Sequence, residues 1–208
     1  MGFGDVAEGL APELAHLSTA ISLSIRHPVG AYPYARVRGR VYDPFSWAGA
    51  LLEEIQGKVV NWLRSAGWRA LAIPPDTHRP DRRFVARLYP LFSHKTAATC
   101  AGLGWVGKSG LLVIPGFGPA ASWATVLTNA PLETAEPFLA GCCGSCRRCV
   151  DACPAGAIKG KEWKRGMPIG ALLDLEACRS HLQGVRSAAG GLWCGACLEA
   201  CSRDGNRP

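Results

Sequence analysis

The sequence predicts an α+β protein in two parts: a mixed α/β domain over residues 1–136 and a small cysteine-rich module over residues 137–208. Three observations predict it. An apolar stripe at helical period over 46–66 runs straight into a strand-like stretch over 69–73. Ile21, Leu23 and Ile25 alternate with Ser22 and Ser24, the period of a strand with one buried face. Nine of the ten cysteines lie between Cys142 and Cys201, leaving only Cys100 outside. With 208 residues and 48% hydrophobic side chains, the chain has enough apolar material for a packed core.

Taken in chain order, residues 6–17 read as a short helix and 21–25 as a strand. An irregular, Pro- and Gly-rich stretch follows, in which Arg36, Arg38 and Arg40 recur at period two and would share one face of an extended segment. The helix over 46–66 has Ala48, Leu51, Leu52, Ile55, Val59, Trp62, Leu63 and Ala66 on its stripe, with Ser46 as a start signal and Gly67 as a stop. Pro74 and Pro75 end the strand at 69–73. Further along, 93–100 reads as helical, and 111–114 and 123–128 as buried strands with the Gly116-Phe-Gly-Pro119 turn between them. Residues 131–141 read as a linker. No apolar run approaches the roughly 20 residues of a membrane helix, and no basic, then apolar leader opens the chain, so the cytoplasm is the expected compartment.

In a reducing compartment disulfides are rare, so clustered cysteines point to metal or catalysis. Cys143-Gly-Ser-Cys146-Arg-Arg-Cys149-Val-Asp-Ala-Cys153-Pro154 has the C-x₂-C-x₂-C-x₃-C-P spacing of bacterial ferredoxins, in which three thiolates wrap one [4Fe–4S] cube and the fourth reaches a second. Cys194-Gly-Ala-Cys197-Leu-Glu-Ala-Cys201 supplies the reciprocal half but is one thiolate short, and Cys178 is the only cysteine between the two motifs. The expected ligands are therefore Cys143, Cys146, Cys149 and Cys201 for one cluster and Cys153, Cys178, Cys194 and Cys197 for the other. Zinc also takes four cysteines, but zinc ribbons pair two separated C-x₂-C knuckles and this run crowds too many thiolates for that. Cys142 could replace Cys143 only at the wrong spacing, so Cys142 and Cys100 are read as bystanders. The module is thus a two-[4Fe–4S] ferredoxin-like unit that moves single electrons.

Ala101-Gly-Leu-Gly-Trp-Val-Gly-Lys108, followed by that cysteine run and its isolated middle cysteine, resembles epoxyqueuosine reductase, which is related to the reductive dehalogenases. The resemblance covers roughly residues 93–132 and 143–201. It implies a cobalamin (corrinoid) on the N-terminal domain, fed with electrons by two [4Fe–4S] clusters, and an electron donor such as ferredoxin or flavodoxin. By it, Gly102, Leu103, Gly104, Trp105, Gly107 and Lys108 would line the cofactor side. On the residues alone, a tight turn between packed elements is the better reading of the same glycines. The family's proton-donating aspartate, about a dozen residues before Gly-Leu-Gly-Trp, is missing from Arg87-Leu-Tyr-Pro-Leu-Phe92, and Tyr89 and His94 stand as the candidate donors. The chain ends soon after Cys201 without the helical repeats that help the long enzymes hold tRNA, so tRNA is not expected as a partner.

Two functions from different classes follow. One is a reductase passing low-potential electrons to a corrinoid or substrate at the N-terminal domain. The other is a ferredoxin-type electron carrier serving a partner enzyme or corrinoid protein, without an organic cofactor of its own. Nucleic-acid binding is the weaker third: the formal charge of +7 falls to about +3 once two cubes at about −2 each are counted, and Arg36, Arg38, Arg40, Arg79, Arg82, Arg83 and Arg87 read as solvated basic surface.

Overall fold

The structure, a computed structural model, describes residues 1–27, 36–37, 40–41, 44–73, 92–189 and 194–202. Tyr89 and Arg79, Arg82, Arg83 and Arg87 lie outside the described residues. The protein is α+β, and its chain divides into two compact units. The first comprises Met1–His27, Phe45–Leu103 and Ala121–Phe138; the second comprises Pro28–Pro44, Gly104–Ala120 and Leu139–Pro208. The second unit therefore takes in the 104–120 segment as well as the cysteine-rich stretch.

The first unit is built on an antiparallel sheet of β1 (Gly2–Asp5), β2 (Thr19–Arg26), β8 (Ala121–Thr128) and β5 (Ala70–Ile73), in that spatial order. Residues 6–17 do not form the expected helix. They make two short 3-10 turns, Ala7–Gly9 and Pro12–Leu14; Pro12 opens the second, Val6, Leu14 and Leu17 are buried in the core, and Leu10 packs against it half-buried. β2 is buried on both faces rather than one. Ile21 and Leu23 pack with Leu52, Val60 and Leu63, while Ala20 packs with Ile73, Ala97 and Leu127 on the other side, and Ser22 between them is fully buried.

Helix α1 (Pro44–Ser65) covers the first of these faces. It starts two residues before Ser46, so Ser46 lies inside the first turn and is not its cap. Its end is as predicted: Gly67 has φ +87°, Trp68 N–H bonds Leu63 O at 3.0 Å and Gly67 N–H bonds Arg64 O at 3.0 Å, the paired bonds of a Schellman motif. The buried stripe runs through Ala48, Leu52, Val60 and Leu63, and Trp62 is 66% exposed rather than part of it. In its place the stripe takes Gln56, whose buried Nε2 donates to Ile73 O and Thr125 O, both at 2.7 Å, tying the helix to β5 and β8. Helix α2 (His94–Cys100), capped by the Ser93 side chain, covers the opposite face. Residues 131–138 are anchored to this unit: Ala135 N–H bonds Phe3 O at 3.0 Å and Phe138 N–H bonds Thr99 O at 2.8 Å.

In the second unit β3 (Arg36–Val37) and β4 (Arg40–Val41) pair antiparallel with Val37 opposite Arg40. Arg36 and Arg40 therefore lie on two paired strands rather than on one extended segment, and Arg38 lies outside the described residues. β6 (Trp105–Val106) pairs with β7 (Leu112–Val113), and the Gly116–Gly118 turn closes with an Ile114–Gly118 bridge. Val106 packs with Trp163 and Leu172, supported by Met167 and Leu173. This apolar core is small. A module of this size normally needs disulfides or metal as staples.

Candidate metal centre

The cysteines of the second unit sit on turns and helices, with Cys149 buried, Cys142 and Cys146 exposed and the others half-buried. Cys143 and Cys146 lie on a turn that Gly144, at φ +55°, allows, with Cys146 N–H bonding Cys143 O at 3.1 Å. Cys149 is on the single turn of α3 (Arg148–Asp151), and Cys153 follows it. Cys178 rides the first turn of α4 (Leu175–Ala189), whose start is capped by Asp174 Oδ1 accepting from Glu176 N–H at 3.1 Å and Ala177 N–H at 3.0 Å. Cys197 and Cys201 lie one turn apart on α5 (Ala196–Ser202), which packs against α3.

Electrostatics sort these thiols. Burial pushes the Cys149 thiol up to about 11, and the charges it then feels are those of Cys201, Cys143 and Cys146. Burial raises Cys178 too, followed by Cys153 and Cys194. Cys197 is pushed up to about 11 by burial, then by Cys194, Cys149, Cys153 and Cys178. Cys146 goes the other way. The Arg148 backbone amide holds it below the ordinary thiol value, the Arg148 guanidinium and the Lys108 ammonium add to this, and burial opposes it. A thiol flanked by donors and cations is poised as a thiolate ligand, while mutually repelling thiols gain most from a cation placed among them. Cys100 is buried in the first unit beside Ala97 and Leu127, and Cys142 is exposed.

Among the described residues, no three His, Cys, Asp or Glu side chains are gathered tightly enough to hold a metal ion. What the thiols do enclose is a cavity of about 490 Å³, lined by residues 142–149 and Cys201 on one side and Gly107, Lys108, Ser109 and Val113 on the other. A zinc ion bonds each sulfur at about 2.3 Å and leaves no such void. A cube whose four irons stand between the sulfurs fits this cavity and this donor set.

The glycine-rich motif before the cysteines has a packing explanation at each position. A Cβ on Gly104 would stand 2.1 Å from Val113 O, one on Gly107 2.9 Å from Val113 Cγ2 and 3.6 Å from Cys143 Sγ, and one on Gly102, at φ +65°, 3.0 Å from Glu136 O. Leu103 closes the first unit, its N–H bonding Ala98 O at 3.0 Å, and Trp105 is buried in β6. Lys108 is 6% exposed. Its Nζ donates to Gly144 O at 2.6 Å and Cys146 O at 3.0 Å, so it meets two carbonyls of the cysteine loop. His94 opens α2 with Nδ1 2.8 Å from Thr125 Oγ1, and burial lowers the neighbouring Lys95 ammonium. Sequence reasoning missed Glu162. Its Oε1 accepts from Cys143 N–H at 2.6 Å and Gly144 N–H at 3.1 Å. The signal available was a lone acid in Lys159-Gly-Lys-Glu-Trp-Lys-Arg165.

Residues 142–204 match the 4Fe-4S dicluster domain family. The epoxyqueuosine reductase of Listeria monocytogenes serovar 1/2a is 41% identical over 69 residues, which are 33% of this chain and 18% of that enzyme. Among solved structures, a selenomethionine-labelled epoxyqueuosine reductase superposes with a TM-score of 0.63 at 20% identity, covering 95% of this chain and 54% of that one. A catabolic reductive dehalogenase in complex with 3-bromo-4-hydroxybenzoic acid gives 0.64 at 23%, covering 92% and 27%. The chain thus spans about half the length of the solved reductases, and its alignment with the curated one covers less than a fifth of that enzyme. It carries a 4Fe–4S dicluster domain and resembles epoxyqueuosine reductases, with the fold of those enzymes and of reductive dehalogenases. The expectation that tRNA is not a partner gains no support: a further neighbour, with a TM-score of 0.62 at 20% identity, covering 95% of this chain and 54% of that one, is an epoxyqueuosine reductase with a tRNA stem loop.

Proposed function

We propose that the chain is an oxidoreductase that passes low-potential electrons through two [4Fe–4S] clusters to an acceptor handled by its sheet-bearing unit. One observation carries this reading: Cys143, Cys146, Cys149 and Cys201 line one cavity, and the thiol of Cys178 feels Cys153 and Cys194, with Cys197 feeling Cys149 as well as these three. That is the partition the ferredoxin spacing requires, with Cys201 crossing to the first set and Cys153 to the second. When bound, each cube accepts and releases one electron. The chain's own residues supply eight thiolates and lower the proton affinity of Cys146 through Arg148 and Lys108.

A corrinoid is the acceptor that the resemblance implies. The glycine motif does not offer it a seat: the space a side chain would take is occupied by Glu136 at Gly102 and by Val113 at Gly104 and Gly107, and the Lys108 ammonium is engaged with backbone carbonyls. His94 is retained as the candidate proton donor, its ring held by the Nδ1–Thr125 contact. The electron source is proposed to be a small redox protein of the ferredoxin or flavodoxin kind, in the cytoplasm. No helix among the described residues is long and apolar enough to cross a membrane.

Anaerobic reconstitution with iron and sulfide, followed by iron analysis and a cobalamin titration under visible absorbance, tests this. About eight irons and a shifted corrinoid spectrum support the reductase. About eight irons, reversible reduction and no corrinoid shift favour the electron carrier that serves a partner. Zinc in place of iron ends both readings.

A further inference from the structure

Two charged side chains that ligate nothing grip the turn carrying Cys143 and Cys146. Glu162 Oε1 takes the Cys143 and Gly144 N–H groups at 2.6 and 3.1 Å. Its Oε2 is buried with no hydrogen-bond partner among the described residues, so its charge is only partly quenched. Lys108, almost wholly buried, holds the Gly144 and Cys146 carbonyls at 2.6 and 3.0 Å. Neutral amides would make the same bonds without the desolvation cost of two ions. Opposite charges fixed against one turn therefore suggest a use for the charge itself.

We propose that Glu162 and Lys108 are positioning residues that hold this turn and set the reduction potential of the cluster it carries, Glu162 lowering it and Lys108 raising it. The inference rests on the reading that Cys143, Cys146, Cys149 and Cys201 hold a [4Fe–4S] cluster. Reduction adds one negative charge to the cube. A fixed carboxylate against the ligand backbone opposes that charge, and an ammonium on the same turn favours it. Glu162 acts in a second way. The N–H groups of Cys143 and Gly144 are turned to its carboxylate, and N–H groups donated to cluster sulfur are among the levers that raise a cluster's potential.

The test uses the reconstituted full chain and an EPR-monitored redox titration that resolves the two clusters, on Glu162→Gln, Lys108→Gln and the double variant. Glutamine keeps an acceptor at 162 and a donor at 108, so charge is what changes. Iron is measured first; wild-type protein that binds none refutes the cluster reading itself and is recognised before any potential is read. With iron retained, Glu162→Gln is expected to shift one cluster's midpoint upward, Lys108→Gln to shift the same one downward, and the double variant to return towards wild type, the other cluster staying put. Shifts of the same sign, or none, overturn the inference. If one variant sheds its cluster, the sign of the other's shift decides. If both shed it, the pair is scaffolding only and the inference fails.

Discussion

Replacing Gly104 with alanine asks whether the glycine motif exists for packing or for a ligand. The new Cβ would stand 2.1 Å from Val113 O and 2.9 Å from Val113 C, where ordinary contact begins at 3.4 Å, so β6 and β7 must part by about 1.3 Å. Both obstacles are backbone, which cannot rotate away. Overpacking typically costs about 1–3 kcal/mol, and a backbone obstacle belongs at about 3 kcal/mol. The strain has a path to the cluster, because Val113 Cγ2 is what fills the space at Gly107, and that space adjoins Cys143 Sγ. Gly104→Ala is therefore expected to bind less iron at the Cys143-containing site and to lose its visible colour at lower urea. The midpoint should fall by about 1.5 M for a slope of about 2 kcal/mol/M. Iron analysis and urea titration of the anaerobic protein measure both. Full iron content and an unshifted midpoint would refute the packing argument and return the motif to ligand binding.

Three further outcomes are expected. Cys178→Ala should drop iron from about eight to about four per chain, while Cys100→Ala and Cys142→Ala keep the wild-type content; full iron in Cys178→Ala would remove Cys178 from the ligand set. Gly57→Ala, at an exposed α1 position where a Cβ meets nothing within 4 Å, should stabilise the protein by about 0.5–1 kcal/mol, read as a higher thermal midpoint. The cluster-free protein should lose stability between about pH 9 and pH 11. Cys149 and Cys197 are raised from 9.0 to about 11, so in this window the unfolded chain sheds protons that the folded chain still holds, and unfolding gains. Urea midpoints at the two ends of the window check this, and iron-loaded protein, its thiolates already deprotonated, should not show the loss.

The sequence by itself determined what chemistry rules by covalent spacing. The run from Cys143 to Cys153 places four thiolates within eleven residues whatever the rest of the chain does, so the metal type and the need for a reciprocal motif at Cys194 were legible. Helix α1, its stop at Gly67 and the strand after it were legible too, because local periodicity and glycine's access to positive φ act over a few residues. The tertiary structure decided everything that depends on which surfaces meet. β2 alternates like a half-exposed strand, yet both its faces are covered, since α1 and α2 approach from opposite sides. Gln56 reads as a polar interruption and is a buried double donor, because Ile73 and Thr125 present two carbonyls to it across the sheet. Glu162 and Lys108 lie 54 positions apart, and no local pattern predicts that they close on one turn. Only folding brings a carboxylate to its amides and an ammonium to its carbonyls.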